Sequence, residues 1–171
     1  MKAMISSDKK NNAIRELAEL AVITALMIGG KEVMNVLPNI HPVTLILILC
    51  VRIYGRKSLY PAVAFAFIEI LLYGIGLWSV SYLYTWPLIA AAAIPFKDSD
   101  SRLFWAVYAG ICGLLFGLLS SIPVLFISGW RASLVYWIAG IGFDIIHCIS
   151  NFILVYIAEP ILYKTLIKLH K

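Results

Sequence analysis

Three ionisable side chains lie inside long apolar stretches of this sequence, where a charged group is hardest to accommodate. They are Glu69, Asp144 and His147. A charge at the centre of a bilayer costs roughly 2.5–3.5 kcal/mol on insertion scales, so such residues usually face a cavity or a partner. An acid and an imidazole can also exchange protons in a low dielectric. These residues are therefore the first candidates for a binding site or a proton path.

The last apolar segment carries polar and aromatic residues at helical spacing. Trp137, Gly140, Asp144, His147 and Asn151 follow one another in steps of three or four, which stacks them on one face of a helix. Two interpretations remain open. The side chains line a polar pocket that opens outward, or they form hydrogen bonds between helices.

Aromatic residues gather where the apolar segments end on the predicted outer side. Flat rings beside a few polar anchors suit a planar ligand, although Trp and Tyr also form ordinary interfacial belts. The proline-containing segment at residues 37–42 is a candidate lid. No catalytic residue and no metal site are predicted. The predicted substrate-binding residues are Asn39, His41, Glu69, Tyr73, Trp78, Tyr84, Trp130, Trp137, Asp144, His147 and Asn151.

The elements that must position these residues are membrane-spanning helices. The chain is 62% hydrophobic and 13% charged, whereas a soluble domain holds about 45–50% apolar and about 25% charged residues. Spans in lipid must be helices or a closed barrel, and the alternation typical of a barrel is absent. We therefore predict an all-α integral membrane bundle at residues 13–171, one domain, after a polar cytoplasmic tail at residues 1–12.

Six predicted transmembrane helices agree with the distribution of basic residues. The spans cover about residues 13–34, 43–54, 59–77, 81–96, 103–127 and 132–163. With the N-terminus and the C-terminus cytoplasmic, Lys31 and Arg131 are the only two of 14 Lys and Arg residues outside cytoplasmic segments, as the positive-inside rule favours. The second span is short and is expected to be tilted, broken or shielded by other helices. Pro123 is expected to end or kink the fifth.

Other classes of protein are disfavoured by features that the sequence lacks. The basic residues form no stripe interleaved with aromatic residues, which argues against nucleic-acid binding. Cys50, Cys112 and Cys148 lie in apolar segments without CxxC spacing, which is typical of buried residues and not of disulfides or zinc ligands. No P-loop, HExxH or GxSxG motif is present. We therefore predict no enzymatic activity and no cofactor.

Small residues recur at helical spacing on two predicted helices. Such strips let helices approach closely where lipid supplies no hydrophobic drive. The first strip can pack within the bundle or dock a partner protein, and the second is expected to pack within the bundle. The two strips are Ala21, Ala25 and Gly29 on the first helix, and Gly110, Gly113 and Gly117 on the fifth.

The sequence resembles the S components of energy-coupling factor (ECF) transporters, small six-helix membrane proteins that capture vitamins. The resemblance covers about residues 13–165 and is carried by LPNI at 37–40, YLYTWP at 82–87 and YWIAGIGFDIIH at 136–147. The strip of Ala21 and Ala25 and the proline-containing first loop also match. Gly29, the third residue of the strip, departs from alanine, and family members vary in how many small residues they show there.

The resemblance implies a multi-pass protein of a prokaryotic plasma membrane that binds a vitamin from outside. The first loop and the later helices would form the pocket, and the alanine strip would dock on a transmembrane coupling subunit driven by two cytoplasmic ATPases. The S component would topple in the membrane to release its cargo. The subgroup looks closest to cobalamin S components, and His147 could offer a neutral imidazole nitrogen to cobalt. Queuosine precursors, pantothenate, pyridoxine and a pyrimidine are further candidates.

Two other functions stay open at this stage. One is a stand-alone proton-coupled carrier that uses Glu69, Asp144 and His147, works without ATPase partners and has a rate set by pH. The other is an assembly or scaffold subunit with no ligand, which tight binding of a small vitamin would exclude.

Overall fold

The computed structural model describes the backbone of residues 2–37 and 39–170 and the side chains of residues 11–37 and 39–168. This described part contains helices and no strand. Short 3-10 turns follow α2 at Gly55–Ser58 and α4 at Ile94–Phe96. The helices are α1 (Lys2–Val33), α2 (Val43–Tyr54), α3 (Leu59–Tyr73), α4 (Leu77–Ala93), α5 (Arg102–Leu114), α6 (Phe116–Ser120) and α7 (Ile122–His170).

Three helical segments among the described residues are long and apolar enough to cross a membrane. They are Leu77–Phe96, Arg102–Ser120 and Ile122–Lys168. Helices α2 and α3, with 12 and 15 residues, are shorter than the roughly 20 residues that a perpendicular span needs. The all-helical, membrane-type fold is therefore confirmed, whereas the six crossings and their orientation stay a prediction.

Several predicted boundaries differ from those observed. Helix α1 begins at Lys2, so the predicted tail at residues 1–12 is part of a helix in the described residues. A helix adds one hydrogen bond for each residue it gains, so it readily extends beyond its apolar segment. The expectation that Pro123 ends or kinks the fifth span agrees with the structure. Helix α6 ends at Ser120 with Ser121 as its C-cap, and Pro123 follows in the first turn of α7, where its missing N–H is not needed.

Glycines in the left-handed region of φ mark the sharp changes of direction. Gly74 (φ 81°) ends α3, and Gly129 (φ 81°, ψ 173°) interrupts the helical conformation inside α7. Residues with a Cβ rarely adopt this backbone conformation. The helical residues before and after Gly129 therefore run in different directions, which separates the end of the predicted fifth span from the predicted sixth.

Helix α2 lies at the centre of the bundle. Its residues from Val43 to Val51 are buried with the exception of the half-buried Ile46, and Trp86, Trp105 and Phe65 are fully buried around it. A short helix can be accommodated at this position, because neighbouring helices and not lipid surround it. The expectation that the second segment is shielded therefore agrees with the structure.

The glycine strip on α5 and α6 packs against α7, as its spacing predicts. A Cβ added to Gly113 would lie 2.7 Å from the backbone carbon of His147, and one added to Gly110 would lie 3.5 Å from the Cys148 carbonyl oxygen. Gly117 faces the Asp144 carboxylate. The two helices approach so closely because glycine leaves no side chain between them.

Candidate functional site

The loop between α1 and α2 brings His41 to His147 of α7, 106 positions later in the chain. The two imidazole centroids are 5.1 Å apart in an edge-to-face arrangement, and the His41 ring lies 6.3 Å from Trp86. Phe116 completes the group, 5.1 Å from His147 and 5.6 Å from Trp86. We call His41, Trp86, Phe116 and His147 the histidine cluster.

Two contacts hold the loop in place over the bundle. The Asn39 carbonyl accepts a hydrogen bond of 3.2 Å from the Ser150 hydroxyl of α7, and Pro42 packs so closely on Gly30 that a Cβ there would lie 2.6 Å from the proline ring. Asn39 has a positive φ of 57°, which asparagine tolerates better than most residues. Its described contact with α7 is therefore made through the main chain.

Several buried polar atoms at this level of the bundle have no hydrogen-bond partner among the described residues. They include His41 Nδ1, Trp86 Nε1 and both ring nitrogens of His147, and Thr85 Oγ1 next to Trp86 is a further one. A buried polar group without a hydrogen bond is unfavourable and rare in native proteins. A concentration of such atoms on adjacent rings therefore indicates a binding function.

His41 is uncharged near neutral pH. Its burial lowers the pKa of the imidazole to about 4, and the positive charge of Lys31 acts in the same direction. A neutral imidazole carries one N–H donor and one nitrogen acceptor. The loop thus presents an uncharged heteroaromatic ring to Trp86 and His147.

A second cluster surrounds Lys31 at the end of α1. Lys31 Nζ lies 2.5 Å from Oε2 of the fully buried Glu69 and 3.4 Å from Glu32 Oε1. The same ammonium lies 4.6 Å from the centroid of Tyr73 and 5.6 Å from that of Trp78. The Tyr73 hydroxyl donates to Glu32. We call these five residues the lysine cluster; it brings three of the predicted binding residues (Glu69, Tyr73 and Trp78) together with Lys31, which sequence reasoning used only for topology.

Aromatic rings connect the two clusters along one face of α4. The ring centroids of Trp78 and Tyr82 are 5.2 Å apart, and those of Tyr82 and Trp86 are 5.6 Å apart. The exposed fraction falls from 37% at Trp78 to 0% at Trp86. Trp86 was not predicted as a binding residue, although its (i, i+4) spacing from Tyr82 and Trp78 was a signal that could have identified it.

Asp144 and Asn151 form hydrogen bonds between helices. Asp144 Oδ1 accepts from the Gly117 amide at 2.9 Å. Asn151 Nδ2 donates to Thr44 Oγ1 at 3.1 Å and to the Ala109 carbonyl at 3.3 Å. This face of α7 was predicted either to line a polar pocket or to form hydrogen bonds between helices. The described contacts of Asp144 and Asn151 fit the second interpretation. His147, between them in sequence, has no such bond among the described residues.

The remaining predicted binding residues lie away from the histidine cluster. Trp130 is 64% exposed, and the 17 residues between it and His147 correspond to about 25 Å of helix. Trp137 lies ten residues before His147, or about 15 Å. The Tyr84 hydroxyl donates to the Leu119 carbonyl at 2.5 Å. The structure therefore does not gather Trp130 and Trp137 into one pocket with His147, because helical rise separates residues that share a face, and the Tyr84 hydroxyl is engaged with the backbone.

The cavities found in the described part of the protein lie elsewhere. One of about 570 Å³ runs between α1, α2 and α7 and is lined by apolar residues such as Val22, Leu49 and Leu162. Another of about 290 Å³ lies beside Arg15 and Glu16. Neither is lined by a predicted substrate-binding residue. At the histidine cluster the described rings contact one another, so the outward-opening pocket expected from sequence does not coincide with either cavity.

The strip of Ala21, Ala25 and Gly29 lies on the outer surface of α1. All three residues are exposed, and a Cβ added to Gly29 would meet nothing within 4 Å. The residues that α1 buries are on its other face, among them Leu20 and Met27. Packing within the bundle therefore does not account for this strip in the described residues.

A buried ion pair at the other end of the bundle was missed by sequence reasoning. Arg52 of α2 forms an ion pair with Glu159 of α7, lies 3.0 Å from Asp100 and stacks 3.4 Å from the Tyr163 ring centroid. Arg52 was assigned only to the cytoplasmic charge set. The available signal was Glu159, an acidic residue inside the last apolar segment.

Comparison of this chain with protein-family models, with curated proteins and with solved structures finds no match.

Proposed function

We propose that this chain is the substrate-binding S component of an ECF-type transporter for a vitamin or related micronutrient, without catalytic activity of its own. The observation that best supports this function is the position of the small-residue strip. Ala21, Ala25 and Gly29 are exposed on the outer surface of α1, while the candidate binding groups lie inside the bundle. Such an arrangement suits a protein that binds cargo internally and a partner helix externally.

In this proposal the chain crosses a prokaryotic plasma membrane six times, with both termini in the cytoplasm. Helix α2 is short but buried, so it can cross within the bundle where neighbouring helices surround it. The partners are a transmembrane coupling subunit and two cytoplasmic ATPase subunits. The alanine strip docks on the coupling subunit, and the ATPases supply the energy that this chain's own motifs do not.

Cobalamin is the first ligand to test. The sequence resemblance is closest to cobalamin S components, and both ring nitrogens of His147 lack a partner among the described residues. Neutral imidazole is a good metal ligand. A visible absorption spectrum of the protein purified in detergent would reveal a co-purified corrin directly.

The docking part of the proposal is tested by enlarging the strip. Ala25→Leu should reduce co-purification of the coupling subunit, and partner-dependent uptake of cobalamin, by at least tenfold, while cobalamin binding to the isolated chain is unchanged. Ala92→Leu is the matched control, since Ala92 is an exposed alanine on α4. Unchanged co-purification in Ala25→Leu would contradict docking at the strip, and equal loss of binding and uptake would indicate misfolding.

The proton-coupled carrier is disfavoured by the contacts of its proposed groups. Glu69 is already paired with Lys31, and Asp144 accepts a hydrogen bond from the Gly117 amide. One oxygen of each carboxyl group is therefore committed to a contact between helices. Uptake of cobalamin into vesicles that contain this chain alone, at a rate set by the pH gradient, would favour the carrier and refute the S-component proposal.

A further inference from the structure

His41 inserts a ring among groups with which it forms no hydrogen bond. It contacts His147 and Trp86 through ring faces and edges at centroid distances of 5.1 and 6.3 Å. Its own Nδ1, the Trp86 N–H and both nitrogens of His147 have no partner in the described part of the chain. The ring fills space but leaves the directional bonding capacity of its neighbours unused.

The bonding capacity left unused defines the chemistry of a better occupant. Trp86 Nε1 is a donor only, and a neutral histidine offers one donor and one acceptor. The rings in contact, those of Trp86, Phe116 and His147, are flat and mostly apolar. A planar molecule with both an acceptor and a donor at its edge satisfies these atoms and stacks on the rings.

The occupant is uncharged. Among the described residues, the ring contacts of His41 are made with aromatic side chains. The positive charge of Lys31 acts on the His41 position and disfavours a cation there. Asp144, three residues before His147, has its Oδ2 atom unpartnered among the described residues and disfavours an anion. An ion placed against Trp86 would also lose its hydration, which is unfavourable in a low-dielectric interior.

We propose that the His41 imidazole occupies the ring position of the ligand as an internal plug, and that the ligand group which displaces it is an uncharged, planar nitrogen heterocycle. This heterocycle stacks on Trp86 and forms hydrogen bonds with Trp86 Nε1 and His147. The inference deepens the proposed function and rests on it, because it concerns the same substrate-binding region.

The plug can leave because its loop is held by few contacts. The hydrogen bond from Ser150 to the Asn39 carbonyl and the packing of Pro42 on Gly30 are the anchors described above. Residues 35–37 and 39–41 lie outside the helices, and their backbone hydrogen bonds are turn bonds such as that from the Leu37 amide to the Met34 carbonyl, so no hydrogen bond inside a helix is broken when they move. When only a fraction of the protein is in the binding-competent state, its apparent affinity for the ligand is reduced by that fraction. Removal of the plug should therefore strengthen binding.

The test measures binding of nicotinamide to the purified full-length chain in lipid nanodiscs by calorimetry. Nicotinamide is an uncharged planar heterocycle, and benzamide has the same shape without the ring nitrogen. Nicotinate supplies the anionic counterpart, and 1-methylnicotinamide, which is methylated on the ring nitrogen, supplies the cationic one. We expect nicotinamide to bind at least tenfold more tightly than the other three compounds.

Variants of the loop and of the ring site distinguish a residue that blocks the site from a residue that binds the ligand. His41→Ala should tighten nicotinamide binding at least tenfold, and Ser150→Ala, which weakens the anchor, should tighten it severalfold. Trp86→Phe keeps a ring but removes the donor and should weaken binding at least tenfold. Tyr60→Phe is the control, since Tyr60 is exposed in the first turn of α3 and is not among the predicted binding residues, and it should change nothing.

Weaker or unchanged binding in His41→Ala would overturn the plug, as would equal binding of benzamide. Should His41→Ala fail to fold, Ser150→Ala decides, and unchanged binding in that variant refutes the plug. Absence of nicotinamide binding to every folded variant also refutes the inference. Strip-dependent co-purification of the coupling subunit is measured separately. Failure of the binding test therefore leaves the proposed function standing, whereas co-purification that does not depend on the strip would count against the proposed function.

Discussion

At the scale of single residues, the structure pairs two buried acidic residues with basic residues that the sequence did not reveal as their partners. Glu69 is fully buried and contacts Lys31, and Arg52 contacts Glu159. A buried ion loses hydration, and a close opposite charge offsets much of that cost. The acid at Glu69 is therefore better explained as half of an ion pair that joins α1 to α3 than as an isolated proton carrier.

Removal of Lys31 should destabilise the protein more than removal of both charges. Lys31→Met leaves the Glu69 carboxylate buried and unpaired, and we expect a loss of about 3–5 kcal/mol in the free energy of unfolding. The double variant Lys31→Met with Glu69→Gln should recover most of that loss. Reversible unfolding in mixed detergent micelles measures both values.

Lys57→Met is the matched control for this experiment. Lys57 pairs with Glu16 at the surface, where the side chains are 54% and 31% exposed. Exposed pairs contribute about 0–1 kcal/mol. A loss of similar size in Lys57→Met and Lys31→Met would contradict the assignment of Glu69 to a buried pair.

The neutral state of His41 predicts a dependence of stability on pH. Burial and the Lys31 charge lower its pKa from 6.5 to about 4, so the unfolded chain binds a proton more readily than the folded protein. The stability contributed by His41 is complete above pH 6.5, is lost as the pH falls towards 4 and is constant below that. His41→Gln should show a smaller decline in thermal midpoint across this window than wild type, whereas equal declines would show that His41 does not titrate this way.

At the scale of elements, close approach of α5 and α6 to α7 positions His147. Gly113 lies against the backbone of His147 and Cys148, so the rotation of α7 at His147 depends on the absence of a side chain there. The loop at residues 35–42 adds His41 from the other side. The histidine cluster thus depends on helix packing as much as on its own four residues.

Gly113→Ala should separate these helices. Its Cβ would lie 2.7 Å from the His147 backbone carbon, and such overpacking costs typically about 1–3 kcal/mol. Gly140→Ala is the control, because nothing lies within 4 Å of a Cβ there and alanine favours a helix interior by about 0.5–1 kcal/mol. Thermal unfolding in detergent compares them; equal stability of the two variants would argue against the packing described for α5 and α7.

At the scale of the whole molecule, the two faces of α1 differ in burial. One face packs on the bundle and carries Leu20 and Met27, while the other presents Ala21, Ala25 and Gly29. The lysine cluster and the interruption at Gly129 belong to one end of the bundle, and Arg52 with Glu159 belongs to the other. The proposed outside and inside follow these two ends.

Single cysteines introduced into a variant without Cys50, Cys112 and Cys148 test the orientation. Asn35→Cys should react with a membrane-impermeant maleimide in intact cells, and Asp98→Cys should react only after permeabilisation. Both positions are exposed in the structure, so a difference in labelling reports the side of the membrane and not burial. Labelling of Asp98→Cys from outside would refute the six-span topology.

Composition and charge were sufficient to predict helices, a membrane and the approximate extent of most segments. They did not predict that α1 begins at Lys2 or that Gly129 interrupts the helical conformation of α7. Helix ends depend on local hydrogen bonding and on a few φ angles, which leave weak traces in hydropathy.

Of the predicted site, Glu69, Tyr73 and Trp78 gather around Lys31, and His41 contacts His147, while Trp130 lies far along α7.

Physical reasons separate what the sequence alone determined from what the tertiary structure decided. A chain that is 62% hydrophobic must bury its backbone polar groups in helices if it enters lipid, and glycine at steps of three or four allows close helix packing wherever the helices meet. No period along the chain relates the members of the three observed pairs, which are His41 with His147, Lys31 with Glu69 and Arg52 with Glu159. They depend on how far each helix is shifted and rotated against its neighbours, and only the packed bundle sets those values.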